Sequence, residues 1–413
     1  MRKIGRRGIE TGVLLRFNFI KFLSVVGFGP FEIYSLLFMS STELLRIVFG
    51  GVLISSMVIS IAIGPYIGTV MDSSPRKRII RGLLSLWIIA FSAVAITWNL
   101  FPGLVEYIIP AAFVFEDVTG GVFFSSMRAL QQTITTDGNY VRSNAFSEIS
   151  GQLPTVVGAA TAIPVLLILG PKFTPVLAVT AMIGPILILK NLEERFTPSV
   201  GRARDMGRQD RTIGFIRKHL SEVLFFYLLN FTFIAVMIGN FLKPVFIVEV
   251  LHGTAESISI SEIAYAVAGS ATGVFFSLVP AKGKIWHLYL CISLFAVGSL
   301  LIPFSPDFLL FLAFQSLHGT GNPGARITRN TIIMAGVPSR NVGRFYEGIS
   351  FLSNITRLLL LISVTGAISF TGPGILIEAT GIMVLATMIL SLLLYFRIPA
   401  VRQITGNAGI LSR

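Results

Sequence analysis

Glu116 and Asp117 stand side by side in a stretch, Tyr107 to Ser126, that carries no other charge. At about 1.5 Å of rise per helical residue, Asp117 lies roughly 16 Å from Arg128 and about 20 Å from Leu104, near the middle of a bilayer-length helix. An ionisable group at that depth costs about 2.5–3.5 kcal/mol to insert, so it faces a cavity or a partner. A neighbouring carboxylate and desolvation both favour the protonated form of a carboxyl, so such a group can take up and release a proton. Adjacent helical side chains diverge by about 100°, so only one of the two points squarely into a central cavity. The competing reading is a permanent ion pair with a buried arginine. Arg357 is the candidate partner, about 18 Å along its helix from Phe345 and so at similar depth.

Other groups compete for chemistry. Glu32 follows Lys21 by about three helical turns plus 20°, so the two share a face. Glu32 is a second protonation candidate, and Lys21, about 10 Å in, is read as snorkelling to the surface. His318, near Gln315 and Asn322, has the one side-chain type with an unperturbed pKa near physiological pH; a hydrogen-bonded polar helix face is the alternative. Lys243, before Pro244, is read as snorkelling. Phe28, Phe31, Tyr34, Phe123 and Phe124 offer flat faces to an apolar ligand or pack the core.

These residues sit on elements of one kind. The chain is 53% hydrophobic and 13% charged, with mean hydropathy +0.79, where soluble domains carry about 25% charged residues. Apolar runs of about the length that crosses a bilayer as a helix, roughly 17–25 residues or longer, recur along it. Six fall near Leu14–Met39, Leu44–Met71, Ile79–Leu100, Leu104–Ile134, Asn144–Leu169 and Phe173–Leu189. Six more follow near Leu220–Leu251, Ile258–Val279, Ile285–Pro303, Phe308–Met334, Phe345–Phe370 and Pro373–Phe396. The expectation is an all-α membrane protein of twelve spans, with one six-helix bundle in 1–190, a polar linker in 191–218 and a second bundle in 219–413.

Net charge +13 suggests nucleic acid in a soluble chain. Here 27 of the 33 Lys and Arg fall on one side of the proposed membrane, the distribution that marks the cytoplasmic face. Both termini are then cytoplasmic and no nucleic-acid partner is needed. The basic start, MRKIGRRGIETG, leads into an apolar run too long for a signal-peptide core, so the first span is expected to remain as an anchor. A single cysteine, Cys291, excludes an intramolecular disulfide. Four scattered histidines and the lack of HExxH or a phosphate-cradling GxxxxGK[ST] leave no metal site, cofactor or ATP hydrolysis to expect.

Between the second and third spans the chain reads GTVMDSSPRKRIIR, with Gly68, Asp72, Arg76, Lys77, Arg78 and Arg81 in fixed spacing. Arg128 to Ser150 reads RALQQTITTDGNYVRSNAFSEIS and Arg329 to Ser350 reads RNTIIMAGVPSRNVGRFYEGIS, so Arg128, Arg142 and Glu148 parallel Arg329, Arg344 and Glu347 about half the chain apart. The loop resembles the signature of the major facilitator superfamily, with Ser73 and Pro75 where that family often has Arg and Gly. The repeated stretches and the opening RFNFIKFLSVVG are similar to its drug and siderophore exporter branch, which includes macrolide efflux and enterobactin export proteins.

The resemblance implies a proton-coupled exporter of a small hydrophobic or amphipathic molecule, a monomer in the cell membrane working by alternating access. It implies a cytoplasmic latch or gate of Asp72, Arg76, Lys77, Arg78, Arg128, Arg142, Glu148, Arg344 and Glu347. Coupling and substrate then fall to Glu116, Asp117, Arg357, Glu32 and His318. The Gly-Pro usual in the fifth helix of antiporters is absent; Gly158-Ala-Ala-Thr-Ala162 stands there, between Pro154 and Pro164. An importer or uniporter is therefore an alternative. A membrane sensor or assembly protein that kept the fold and lost transport is another.

Overall fold

The structure is a computed structural model that describes residues 2–134, 140–192, 214, 216–278, 285–337 and 339–407. The apolar runs form helices throughout: α1 Arg2–Ser40, α2 Glu43–Ser73, α3 Arg76–Leu100, α4 Val105–Ile134, α5 Tyr140–Pro164 and α6 Thr174–Lys190. After the linker come α7 Leu220–Leu228, α8 Phe231–Glu249, α9 Ala255–Leu278, α10 Ile285–Leu301, α11 Phe308–Gly336, α12 Ser339–Arg397 and a short α13, Pro399–Asn407. Among the described residues ten helical stretches are long and apolar enough to cross a membrane, one of them the 50-residue Gly348–Arg397. That stretch holds two predicted spans. Gly372, at φ 75°, breaks it in the left-handed region where a residue without Cβ is unstrained, and Pro373 starts the next helix. α11, expected as the tenth span, is not among these ten, its apolar character diluted by His318, Asn322, Arg326 and Arg329.

Two elements depart from the expected pattern. The stretch read as a loop from Gly68 to Arg81 is helical except at Ser74 and Pro75; Pro75 caps α3, and its fixed φ suits that place. The seventh span, expected to be continuous, breaks at Leu229 and Asn230. There the backbone tightens to i→i−3 bonds, while the Asn230 amide donates to Ser353 on α12 at 2.8 Å.

The chain separates into two compact units. The first comprises 1–143, 150–204 and 254–263; the second comprises 144–149, 205–253 and 264–413. In the first, Phe28 stands edge-on to Trp87 with ring centroids 4.8 Å apart, and Phe31 edge-on to Phe91 at 5.0 Å. Trp87 continues to Phe123 at 4.9 Å and donates its indole N–H to Thr119 at 2.7 Å. Phe28, Phe31 and Phe123 are thus core residues locking α1, α3 and α4 together. In the second, Phe225, Phe226, Phe295 and Phe345 form the centre of a core on which α7, α10 and α12 pack. The Tyr227 hydroxyl meets Thr356 at 2.7 Å.

Basic side chains anchor one end of the first unit. Cations in the first turn of α3 oppose that helix's dipole. Lys77 directs its ammonium instead to the backbone carbonyls of Lys190, at 3.4 Å, and Leu192, at the exposed end of α6. Arg16 donates to the Asn191 carbonyl at 3.4 Å. Two cations thereby cap the negative end of α6, whose last carbonyls have no intrahelical donor.

Candidate functional site

The face that α1 turns to α5 builds the site. Lys21, Val25, Gly29 and Glu32 fall at helical spacings on that face, opposite Gly151, Thr155, Gly158 and Ala159 on α5. A Cβ placed on Gly29 would stand 2.5 Å from the Gly158 Cα, so two bare backbones touch where the helices cross. Pro30 has no N–H, which leaves the Val26 carbonyl without its intrahelical donor. That carbonyl faces α5 at the crossing, 3.5 Å from where a Cβ on Gly158 would sit.

Beside the crossing lies a cavity lined by Val25, Gly29, Glu32, Thr155, Ala159 and Glu262. Glu262 comes from the Thr254–Ile263 segment that belongs to the first unit. Phe31 and Ile33 are buried, at 2% and 3% exposure, while Glu32 between them is exposed. Glu32 lies within the span Arg16–Ser40, about 12 Å from its Ser40 end, and a carboxylate inside a span on a cavity wall is where an ionisable group is expected to carry function.

Glu116 and Asp117 complete the constellation from α4. Glu32 lies in the electrostatic field of Glu262 and Asp117, and Glu116 in that of Glu32 and Asp117. Asp117 accepts a hydrogen bond from the buried Ser56 hydroxyl of α2 at 2.5 Å. Glu116 is half-buried, with its Oε1 folded along the helix over Gly120. Four carboxylates therefore share one field, while Lys21 stands one end of the same α1 face away.

Lys21 is half-buried, 6.0 Å from the Phe124 ring centroid and 3.1 Å from where a Cβ on Gly151 would sit. Lys243 does not snorkel: it is 3% exposed and lies over the Tyr265 ring at 5.2 Å. The ring face and the close packing of α8 take the stem that the surface was expected to take. Within the second unit Arg357 is half-buried over the Phe233 ring at 5.8 Å. His318 is 5% exposed, stacked on Phe295 with centroids 4.3 Å apart and bonded to the Ser299 hydroxyl at 2.8 Å. Its ring nitrogen is therefore engaged between α10 and α11, and the Asn322 amide donates to the Tyr265 hydroxyl at 2.8 Å.

Of the expected gate residues, Arg76 is half-buried and Arg78 exposed at the start of α3, and Lys77 caps α6 as described. The side chains of Asp72, Arg128, Arg142, Glu148, Arg344 and Glu347, and the surroundings of Gly68, lie outside the described residues. Sequence reasoning passed over Ser56, Glu262 and the Gly29–Gly158 crossing. The FGPFE run around Gly29 was a usable signal, since Gly-Pro in mid-span marks a close or irregular helix contact.

No protein-family model matches the sequence, and no curated protein matches it. Solved structures do. A bacterial homologue of the iron transporter ferroportin, in an inward-facing state, matches with TM-score 0.68 at 12% identity, over 94% of this chain and 99% of that one. The human organic anion transporter MFSD10 matches with TM-score 0.66 at 13% identity, over 92% and 99%. The nucleoside transporter NupG matches with TM-score 0.60 at 14% identity, over 93% and 99%. The fold is that of the major facilitator superfamily. At these identities the likeness shows the fold alone, so the site has to be argued from this chain's own carboxylates.

Proposed function

We propose that the chain is a secondary transporter that moves a small amphipathic solute across the cell membrane by alternating access, coupled to protons through Glu32, Glu116 and Asp117. The observation that carries this is Glu32, exposed within the first span on a cavity wall and sharing its field with Glu262, Glu116 and Asp117. Four carboxylates in one field repel one another and need neutralising charge. Protons supply it in one state of the cycle and a solute bearing positive charge supplies it in the other, which makes their binding mutually exclusive and so couples efflux to proton entry. The structural neighbours support transport as the activity; they are described as carrying iron, organic anions and nucleosides, and so support no single substrate.

A second reading, a uniporter or importer, is favoured by the missing Gly-Pro in the fifth span. The test is reconstitution into liposomes with an imposed pH gradient, following fluorescent lipophilic cations in the native chain, Glu32→Gln and Asp117→Asn. Gradient-dependent uptake lost in both variants supports proton coupling. Equal movement in all three without a gradient supports the uniporter.

A further inference from the structure

The lining of the cavity in the first unit discriminates among cations. Glu32 and Glu262 carry its charge, and Thr155 adds a hydroxyl. Val25, Ile33 and Ala159 make the wall beside them aliphatic. Lys21 stands near Gly151, one turn before Thr155 along α5, and is not part of the lining, so the cavity's own charge is negative. The free space is about 290 Å³ with the open mouth included, close to the lower bound of roughly 300 Å³ for small-molecule sites.

The helix crossing places these groups. Thr155 and Ala159 are four residues apart on α5 and share a face. Gly158, next to Ala159, is where the α5 backbone meets Gly29 of α1, and Glu32 follows Gly29 by three residues. The α5 wall therefore offers the hydroxyl and the α1 wall the carboxylate of one cavity. Further along α5, Thr161 gives its hydrogen to the Gly158 carbonyl at 2.8 Å. Among the described residues nothing bonds the Thr155 hydroxyl, which is half-buried on the cavity wall.

Each polar side chain of this lining accepts hydrogen bonds, and no aromatic ring is among the described lining residues. A quaternary ammonium has no N–H to give and is recognised by aromatic faces. A primary ammonium carries three N–H donors and needs acceptors for them. We propose that the charged group of the solute is a protonated primary amine, held by Glu32 and Glu262, with Thr155 accepting an N–H and setting selectivity against N-methylated cations. This rests on the proposed transport through the same cavity and names the head group of its solute. The aliphatic wall takes the first carbons of the chain that follows.

The test is thermal unfolding of the full chain in detergent at neutral pH, titrated at constant ionic strength with butylamine and with butyltrimethylammonium. A ligand bound only by the native state raises the midpoint saturably. Butylamine, protonated at this pH, is expected to bind roughly ten-fold or more tightly than its quaternary analogue. Thr155→Val is expected to cut that preference several-fold by weakening butylamine alone, and Thr155→Ser, which keeps the hydroxyl, to retain it. Glu32→Gln is expected to weaken butylamine about ten-fold or more. Equal rises in the native chain, a larger rise with the quaternary ion, no rise with either, or a preference unchanged in Thr155→Val overturns the proposal. The transport reading fails on a different measurement: gradient-driven accumulation in liposomes that is indifferent to Glu32→Gln overturns it, whatever the two midpoints show.

Discussion

Glu32 owes its character to its neighbours in sequence as much as to the cavity. Phe31 packs into the core of the first unit, and Glu32, about 100° further round α1, lines the cavity with the buried Ile33. Glu32→Gln keeps shape and hydrogen bonding while removing the titration, and is expected to leave folding intact and abolish gradient-driven accumulation in liposomes. Asp117 is held differently, by the Ser56 hydroxyl. Ser56→Ala removes that donor from an exposed carboxylate, at a cost of about 0.5–1.5 kcal/mol. The expected result is a lower unfolding midpoint and a changed pH profile of transport, with both restored by Ser56→Thr. An unchanged pH profile in Ser56→Ala would remove Asp117 from the coupling group. The place of Glu116 and Asp117 inside one long helix was readable from the apolar run around them. Ser56 was not, because its partner is 61 residues away and nothing local in a run such as LISSMV distinguishes one serine from the other.

At the scale of elements, the site depends on how closely α1 and α5 approach. Gly29→Ala puts a methyl group 2.5 Å from a backbone atom that cannot yield, and overpacking of this kind costs about 1–3 kcal/mol. It is expected to lower the unfolding midpoint and to impair transport with Glu32 still present. Gly82→Ala on α3, where an added Cβ meets nothing within 4 Å, is the control and is expected to be neutral or slightly stabilising. If both substitutions are equally tolerated, the crossing does not set the cavity. Helix number and placement were legible because long uncharged runs admit no other structure in a bilayer. The break at Asn230 was not, since periodicity cannot reveal that an amide will bond to Ser353, 123 residues away. Lys243 was misjudged for the same reason: snorkelling is the default for a lone lysine, and the Tyr265 ring it lies over comes from another helix.

For the whole molecule, the separation of charge predicts which loops face which side. The turn at Ser74–Pro75 is followed at once by Arg76, Lys77, Arg78 and Arg81, whereas the turn at Ser41–Thr42, one span earlier, has Arg46 as its single nearby cation. Short loops rich in Lys and Arg stay on the cytoplasmic side, so the two turns are assigned to opposite faces. The chain is well suited to a direct measurement, because its one cysteine, Cys291, is buried at 6% exposure. Native protein in sealed, right-side-out vesicles is therefore expected to react little with a membrane-impermeant maleimide. Ser41→Cys, at an exposed position, is expected to label in intact vesicles. Ser74→Cys is expected to label only after the vesicles are opened, since Ser74 is half-buried yet lies in the turn itself. The reverse pattern would place the basic loop outside. It would then also put Lys77 and Arg16, which cap α6, on the outer face, and the charge asymmetry would need a cause other than retention of basic loops in the cytoplasm.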